Sequence, residues 1–486
     1  MFLSSSFLDL VLYNGITDMK NGQVSFRSTS DGWRGKLAQN FTYENVKQIA
    51  EAISIYLIKN MREQRLVIGY DTRFMSKDFA IFMSSVFQQH GINVTIIRDP
   101  STTPLLSFTT YKYKFPLGIN ITASHNPPFD NGIKIRMNYG GTPSEEIVAK
   151  IESYLNTKPR SSKIQGKVIF VNPRKNYAKT IRKLAGISKA KNSRIKVLVD
   201  TMHGSSRGLL KEVFNNSKVQ IDYLHENYDP YFGGMNPEPK FESTTELQDI
   251  IKKGKYSFGI AHDGDGDRIV AVLPKIGYLS PHEISALLVL YLGKYKQFKG
   301  KVLGSSTLGR RVKRVCETLG LTYETMPVGF KNATKQMLEG KVLVAAEENG
   351  GVGFGFYVPE RDATLAATIL VDAEATIGLA NLFKELEKIA GRSGFCRYNF
   401  TPSVNRENLF SMIIKDTATF NYKEIESVNK SDGVKVIYKN GDWLSIRYSG
   451  TEDILRIYCE SDTRGKAVKI KNFALKCILE IERRIK

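Results

Sequence analysis

Three aspartates alternate with glycine in the stretch His262-Asp263-Gly264-Asp265-Gly266-Asp267-Arg268. Three carboxylates on so short a loop repel one another unless a cation sits among them. Oxygen-only ligands suit a hard ion, Mg2+ above all, with a phosphate completing its shell. The twelve-residue calcium loop with its distal glutamate is absent. A solvated acidic turn is the plain alternative, but apolar runs flank the loop on both sides and the chain as a whole is basic, which favours a metal.

A second stretch, Thr122-Ala123-Ser124-His125-Asn126-Pro127, follows the apolar run 116–121 and continues to Asn131-Gly132-Ile133-Lys134. Prolines at 127 and 128 forbid a helix, and Asn-Gly signals a turn. Ser124 therefore falls on a loop at a strand end, where open α/β sheets hold ligands. A serine there is a candidate nucleophile, with His125 and Lys134 as donors and proton carriers. Ser, Asn and Pro are also ordinary turn residues, so taken alone the stretch fits a polar turn equally.

Two further loops are weaker signals. Arg447-Tyr448-Ser449-Gly450-Thr451 offers a guanidinium fork, hydroxyls and glycine-freed amides, a set that cradles phosphate or simply closes a hairpin. Glu347 and Asn349, on a glycine-rich loop, could hydrogen-bond a polyol. A metal, a serine and a phosphate cradle together point to phosphoryl transfer, which needs positioning and charge neutralisation.

The elements that must position these loops alternate strand and helix. Strands are predicted over 23–26, 65–70, 93–97, 116–121 and up to Met137, and helices over 45–58, from Ser76 as cap to Gln89, and from Ser144 as cap. A basic, polar linker spans 157–167. Strands resume at 195–199, 219–224, 257–261, 301–304 and 341–345. Helices run through Leu247 and Ile251, over 283–292 and over 310–319, and one helical stretch covers 363–389. The runs ending at Ser124, Asp263 and Glu347 share a layout of apolar strand, small residue, polar loop and second strand. This reads as three copies of one α/β unit. Residues 393–486 show hairpin signals and a final amphipathic helix over 466–481, a smaller α+β domain.

The 486 residues suggest three or four domains, and 42% hydrophobic content excludes a disordered chain. No apolar run reaches membrane-spanning length. Four cysteines without metal spacing suit a reducing cytoplasm. The net charge of +21 allows nucleic-acid binding, attraction of anionic substrates or a lysine-rich surface. No nucleic-acid motif accompanies it, so a solvated surface that also focuses a phosphorylated substrate is the reading taken. Residues 1–19 lack a basic signal-peptide start. They are read as an extension or a misassigned start before Met19, which an intact mass would decide.

With these four motifs in order, the chain from about Gln23 onward resembles the α-D-phosphohexomutase superfamily, the phosphoglucomutases and phosphomannomutases. The resemblance implies four domains around a central cleft: an extension 1–19, then 20–158 with the phosphoserine loop, 159–273 with the metal loop, 274–392 with the sugar loop, and 393–486 with the phosphate loop. It implies a cytoplasmic Mg2+-dependent isomerase, monomeric or homo-oligomeric, with no nucleic-acid or membrane partner. Ser124 would be phosphorylated and would exchange its phosphoryl group with a hexose phosphate through a bound hexose 1,6-bisphosphate. Ser124, Asp263, Asp265 and Asp267 would hold the metal; Arg34, His125 and Lys134 would serve proton transfer and charge stabilisation. Arg268, Gly329, Glu347 and Asn349 would meet the sugar, and Arg447, Ser449, Gly450 and Thr451 its non-reacting phosphate.

Departures from the family pattern fall at Thr29, Ser30, Ala346, Asn349, Ala363 and Asp453, and bear on sugar choice more than on chemistry. Glucose and mannose phosphates are the expected substrates. A phosphoglucosamine mutase is the alternative enzyme, and a non-catalytic sugar-phosphate binder the alternative class.

Overall fold

The computed structural model describes residues 28–29, 32–448 and 453–485. The expected strand over 23–26 and the extension 1–19 lie outside them. Among the described residues, four sheets follow one another along the chain. In the first, strands Leu117–Ile121, Arg65–Tyr70, Asn93–Ile97 and Val168–Val171 run parallel, while Asp130–Met137 and then Gly32–Lys36 return antiparallel. The second centres on Phe258–His262 and Lys196–Asp200, with Ile269–Leu273 returning antiparallel. The third centres on Lys301–Ser305 and Val342–Ala346, with Val352–Phe354 returning. Each of these three sheets thus carries a strand–loop–antiparallel strand unit, and the three loops are those singled out in the sequence. The fourth sheet is wholly antiparallel and covered by the helix Arg464–Arg483.

Local signals set many element ends. The Ser144 side chain accepts from the Ile147 amide and starts the helix Glu145–Glu152. Ser76 does not cap as expected. It is the first helical residue after Met75 at φ 60°, and its hydroxyl donates to Asp71 Oδ1 at 2.7 Å. The stretch 363–389 is two helices, Ala363–Thr376 and Leu379–Ala390, bent by 94° at Gly378, whose φ is 81°. Periodicity hid this break because residues 363–373 are all buried, so the first helix has no polar face. No single helix among the described residues is long and apolar enough to cross a membrane.

Several elements escaped the sequence reading, helices Phe330–Leu338 and Arg406–Lys415 among them, and three show why. Helix Arg174–Ala185 lies in a stretch noted only for its charge, because its lysines and arginines mask the buried stripe of Tyr177, Ala178, Ile181 and Ala185. Helix Thr103–Lys112 is buried nearly all round. Strand Val168–Val171 is half-exposed at a sheet edge and joins the first sheet beyond residue 158.

The cores divide unequally. The second and third units share one continuous core, whereas the first sheet and the fourth each keep their own. All four cysteines are free.

Candidate active site

Ser124 follows the strand Leu117–Ile121 with φ 55°, a left-handed conformation that strains a non-glycine residue. Arg73, itself buried, holds it there. The guanidinium donates to the carbonyls of Ser124 (2.6 Å), Pro127 (2.7 Å), Asn126 (2.8 Å) and Asp130 (3.0 Å), and is anchored on Asp71 at 3.2 Å. Gly132 lets the return strand pass, since a Cβ there would meet the Thr122 carbonyl at 2.5 Å. Arg34 Nη1 donates to Asn126 Oδ1 at 2.8 Å, which places it on the same loop. His125 Nδ1 lies 3.4 Å from Ser124 Oγ. Burial, together with Arg268, Arg34, Lys134 and Arg397, holds the imidazole well below the usual histidine range, which favours its neutral form.

The metal loop meets the serine loop directly. Ser124 Oγ donates to Asp263 Oδ2 at 3.0 Å, and a Cβ on Gly264 would lie 2.7 Å from the Ser124 carbonyl. Asp263, Asp265 and Asp267 are buried, with ligand atoms all within 4.8 Å of one another. Asp263 Oδ1 accepts from the amides of Asp267 (2.9 Å) and Arg268 (3.0 Å), which closes the loop. Lys134 Nζ reaches Asp265 Oδ2 at 2.7 Å and Asp267 Oδ2 at 3.1 Å. Burial and the two neighbouring carboxylates push Asp263 well up. Burial also pushes Asp265 up, but Lys134, Thr103 and Arg361 outweigh it and hold Asp265 below the usual range. Among the described residues, Oδ1 of Asp265 and Oδ1 of Asp267 are buried without a hydrogen-bond partner, the latter 3.9 Å from Arg268 Nε. Orphaned carboxylate oxygens beside a buried hydroxyl are the donor set a hard divalent cation takes, so the residues fit Mg2+.

The loop that bears Glu347 and Asn349 adjoins. Arg268 pairs with Gly351 in an antiparallel bridge, and Arg361 spans Asp267 (3.0 Å) and Glu347 (3.4 Å). Arg268 Nη1 also reaches Glu238 at 3.5 Å. Glu347 is buried and pushed up by that burial, with Arg361 opposing; its Oε1 accepts from the Gly329 amide at 3.1 Å. Asn349 Oδ1 accepts from the Gly351 amide at 2.9 Å, which commits the side-chain oxygen to its own turn and leaves the NH2 group as the outward donor. Arg447 lies near the end of the strand Trp443–Tyr448 and pairs with Asp432 at 2.7 Å. Ser449, Gly450 and Thr451 lie outside the described residues.

Sequence reasoning missed Arg73, Arg361 and Asp432. Arg73 had a faint signal as a charged residue closing an apolar strand. The other two had none, because their partners are supplied by distant loops.

Profiles described as phosphoglucomutase/phosphomannomutase match the chain in order: alpha/beta/alpha domain I over residues 27–162, domain II over 175–277, domain III over 280–389 and the C-terminal domain over 410–476. A probable phosphoglucosamine mutase of Methanobrevibacter smithii is 27% identical, covering 93% of this chain and 98% of its own length. A phosphoglucomutase/phosphomannomutase of Thermococcus kodakarensis is 26% identical over 92% and 97%. A solved Thermus thermophilus structure assigned as a phosphomannomutase superposes with a TM-score of 0.84 at 28% identity, covering 93% of this chain and 99% of that one. Four domain profiles in order, on three related α/β units and an antiparallel fourth, establish that this chain belongs to the α-D-phosphohexomutase superfamily, a family of isomerases.

Proposed function

We propose that the chain interconverts hexose 1-phosphates and hexose 6-phosphates, with Ser124 carrying the transferred phosphoryl group and glucose and mannose as the sugars. The observation that carries this reading is the buried Ser124 hydroxyl, 3.0 Å from Asp263 inside a carboxylate triad with orphaned oxygens. In the forward half-reaction the Oγ–P bond of phosphorylated Ser124 breaks as a sugar hydroxyl oxygen bonds to phosphorus. That hydroxyl's proton passes to a side chain at the serine loop, and the candidate is His125, 3.4 Å from Ser124 Oγ. The sugar then carries two phosphates, so a hexose 1,6-bisphosphate is both intermediate and the reagent that loads Ser124. In the return half-reaction the other phosphate transfers to Ser124 Oγ, and the sugar oxygen left behind regains a proton.

Asp263, Asp265 and Asp267 would hold Mg2+, which supplies charge neutralisation at the phosphoryl oxygens. Lys134 and Arg34 add fixed positive charge beside the transfer site. Glu347, Asn349 and Gly329 orient the sugar, and Arg447 with the 449–451 loop holds the phosphate that is not reacting.

A second reading is an amino sugar as substrate, favoured by the name of the Methanobrevibacter smithii relative. Mutase assays with Mg2+ and trace glucose 1,6-bisphosphate, on glucose, mannose and glucosamine 1-phosphates in parallel, separate the two. We expect turnover of glucose and mannose phosphates, falling about a thousandfold or more in Ser124→Ala. A strong preference for glucosamine 1-phosphate establishes the second reading. No turnover of any sugar, with Ser124 unphosphorylated, overturns both and leaves a sugar-phosphate binder.

A further inference from the structure

We infer that Asp432 is a positioning residue: a single carboxylate that clasps the C-terminal domain to the third domain and at the same time fixes the arginine expected to hold the substrate's non-reacting phosphate. The inference rests on the mutase reading for its catalytic consequence, though not for its geometry.

Asp432 lies in the turn between strands Ile425–Asn429 and Val434–Tyr438. The next residue, Gly433, has φ 89°, and a Cβ there would stand 2.5 Å from the Ile446 carbonyl and 3.0 Å from Arg447 Cγ. Only glycine lets the turn lie flat on the arginine stem, and this brings the carboxylate to the guanidinium. Oδ1 accepts from Arg447 Nη2 at 2.7 Å and Nε at 3.1 Å. Oδ2 faces the other way and accepts from Ser306 Oγ at 2.6 Å and the Val328 amide at 2.8 Å, both on the third domain. Four donors fill the acceptor positions of one carboxylate.

The Val328 contact reaches the sugar site. The neighbouring amide, Gly329 N, donates to Glu347 Oε1, so this turn hangs between Asp432 on one side and the proposed sugar-binding glutamate on the other. Closing the C-terminal domain therefore builds Arg447, the 328–329 turn and Glu347 into one frame. Opening it breaks both Oδ2 bonds. These bonds, like those from Arg310 to Glu460 and Asp462 and from Lys435 to the Ser306 carbonyl across the same junction, can break and re-form, unlike a fused apolar core, and a mutase must let its bisphosphate turn over between half-reactions without losing it.

The test uses the full chain as wild type, Asp432→Ala, Asp432→Asn and Ser306→Ala. Small-angle scattering is recorded without ligand, and KM and kcat are measured with whichever hexose 1-phosphate the wild type turns over. Losing charged hydrogen bonds made in ground and transition states alike should raise KM about tenfold or more in Asp432→Ala, with kcat within about threefold of wild type. Its ligand-free scattering should show a larger radius of gyration. Asp432→Asn keeps an acceptor oxygen but not the charge, and should fall between. Ser306→Ala leaves Arg447 paired and should open the domain while raising KM only about threefold.

An unchanged KM with unchanged scattering overturns the clasp, as does a loss confined to kcat. If the wild type turns over no hexose phosphate, the mutase reading fails by itself. The scattering comparison then still decides: identical profiles overturn the clasp and an opened Asp432→Ala upholds it. Should Asp432→Ala not fold, the Asn and Ser306 variants decide the same question by the same two readouts.

Discussion

Two junctions in this molecule do opposite things with charge. Where the serine loop meets the aspartate loop, the ionic cluster is buried: Lys134, Asp263, Asp265 and Asp267 are all 2% exposed or less. Where the third domain meets the fourth, burial is mixed: Asp432 and Arg447 keep 13% and 14% side-chain exposure and Arg310 reaches Asp462 at 2.6 Å, while Glu460 and Asp442 beneath are buried. The first junction is pre-assembled, because buried charges cannot part without stranding one another. The second can open, because water can replace what it loses. Phosphoryl transfer needs both: a rigid place for the reacting oxygen and a face that releases the sugar to turn.

The contrast can be broken most sharply at Lys134. Replacing it with methionine leaves Asp265 and Asp267 short of a buried partner. It should cost about 3–5 kcal/mol of unfolding free energy in chelator-treated protein, as removal of one partner from a buried pair does. Urea melts with and without Mg2+ measure this, and the added cation should recover part of the loss. Melts that do not differ from wild type would mean the triad is not charged.

The second junction carries its own pH dependence. Lys435 Nζ donates to the Ser306 carbonyl at 2.7 Å and sits over the Trp443 ring, and burial pulls it down to about 8 despite Glu460. Between about 8 and the ordinary lysine value of 10.5, the unfolded chain binds a proton here that the folded chain does not. Stability should therefore rise with pH across that window and be lowest, from this group, below it. The shift corresponds to at most about 3 kcal/mol at 1.36 kcal/mol per unit. Lys435→Met should remove this slope; equal slopes in the two melting series would show that the amine is solvated.

The smallest expected effect has the opposite sign. Ser124 holds φ 55° against its own preference. Ser124→Gly should abolish mutase turnover yet raise stability by about 1 kcal/mol, measured by thermal unfolding. A destabilised glycine variant would mean that the contact with Asp263 outweighs the strain.

Much of this architecture was legible in the chain. The strands Arg65–Tyr70 and Asn93–Ile97, the helix Arg310–Leu319 and the Ser144 cap follow from hydrophobic period and capping residues. So did the three strand–loop–strand units, because Ser124, the aspartate triad and Glu347 each stand at the end of an apolar run. The two-helix break at Gly378 and the masked stripe of Arg174–Ala185 were lost because full burial and heavy charge each erase the amphipathic signal.

The sequence by itself determined which groups the protein owns: a serine, three carboxylates, an arginine at position 447 and the loops that bear them. Only the tertiary structure decided which groups act on which. Arg73 grips a loop 51 residues away, Lys134 meets carboxylates 131 and 133 residues on, and Asp432 reaches donors at distances of 104 and 126 residues. Local propensity acts over one turn or one strand pair. Buried charges are instead satisfied by whatever partner the packing of separate sheets brings near, and that partner leaves no mark on the neighbouring sequence.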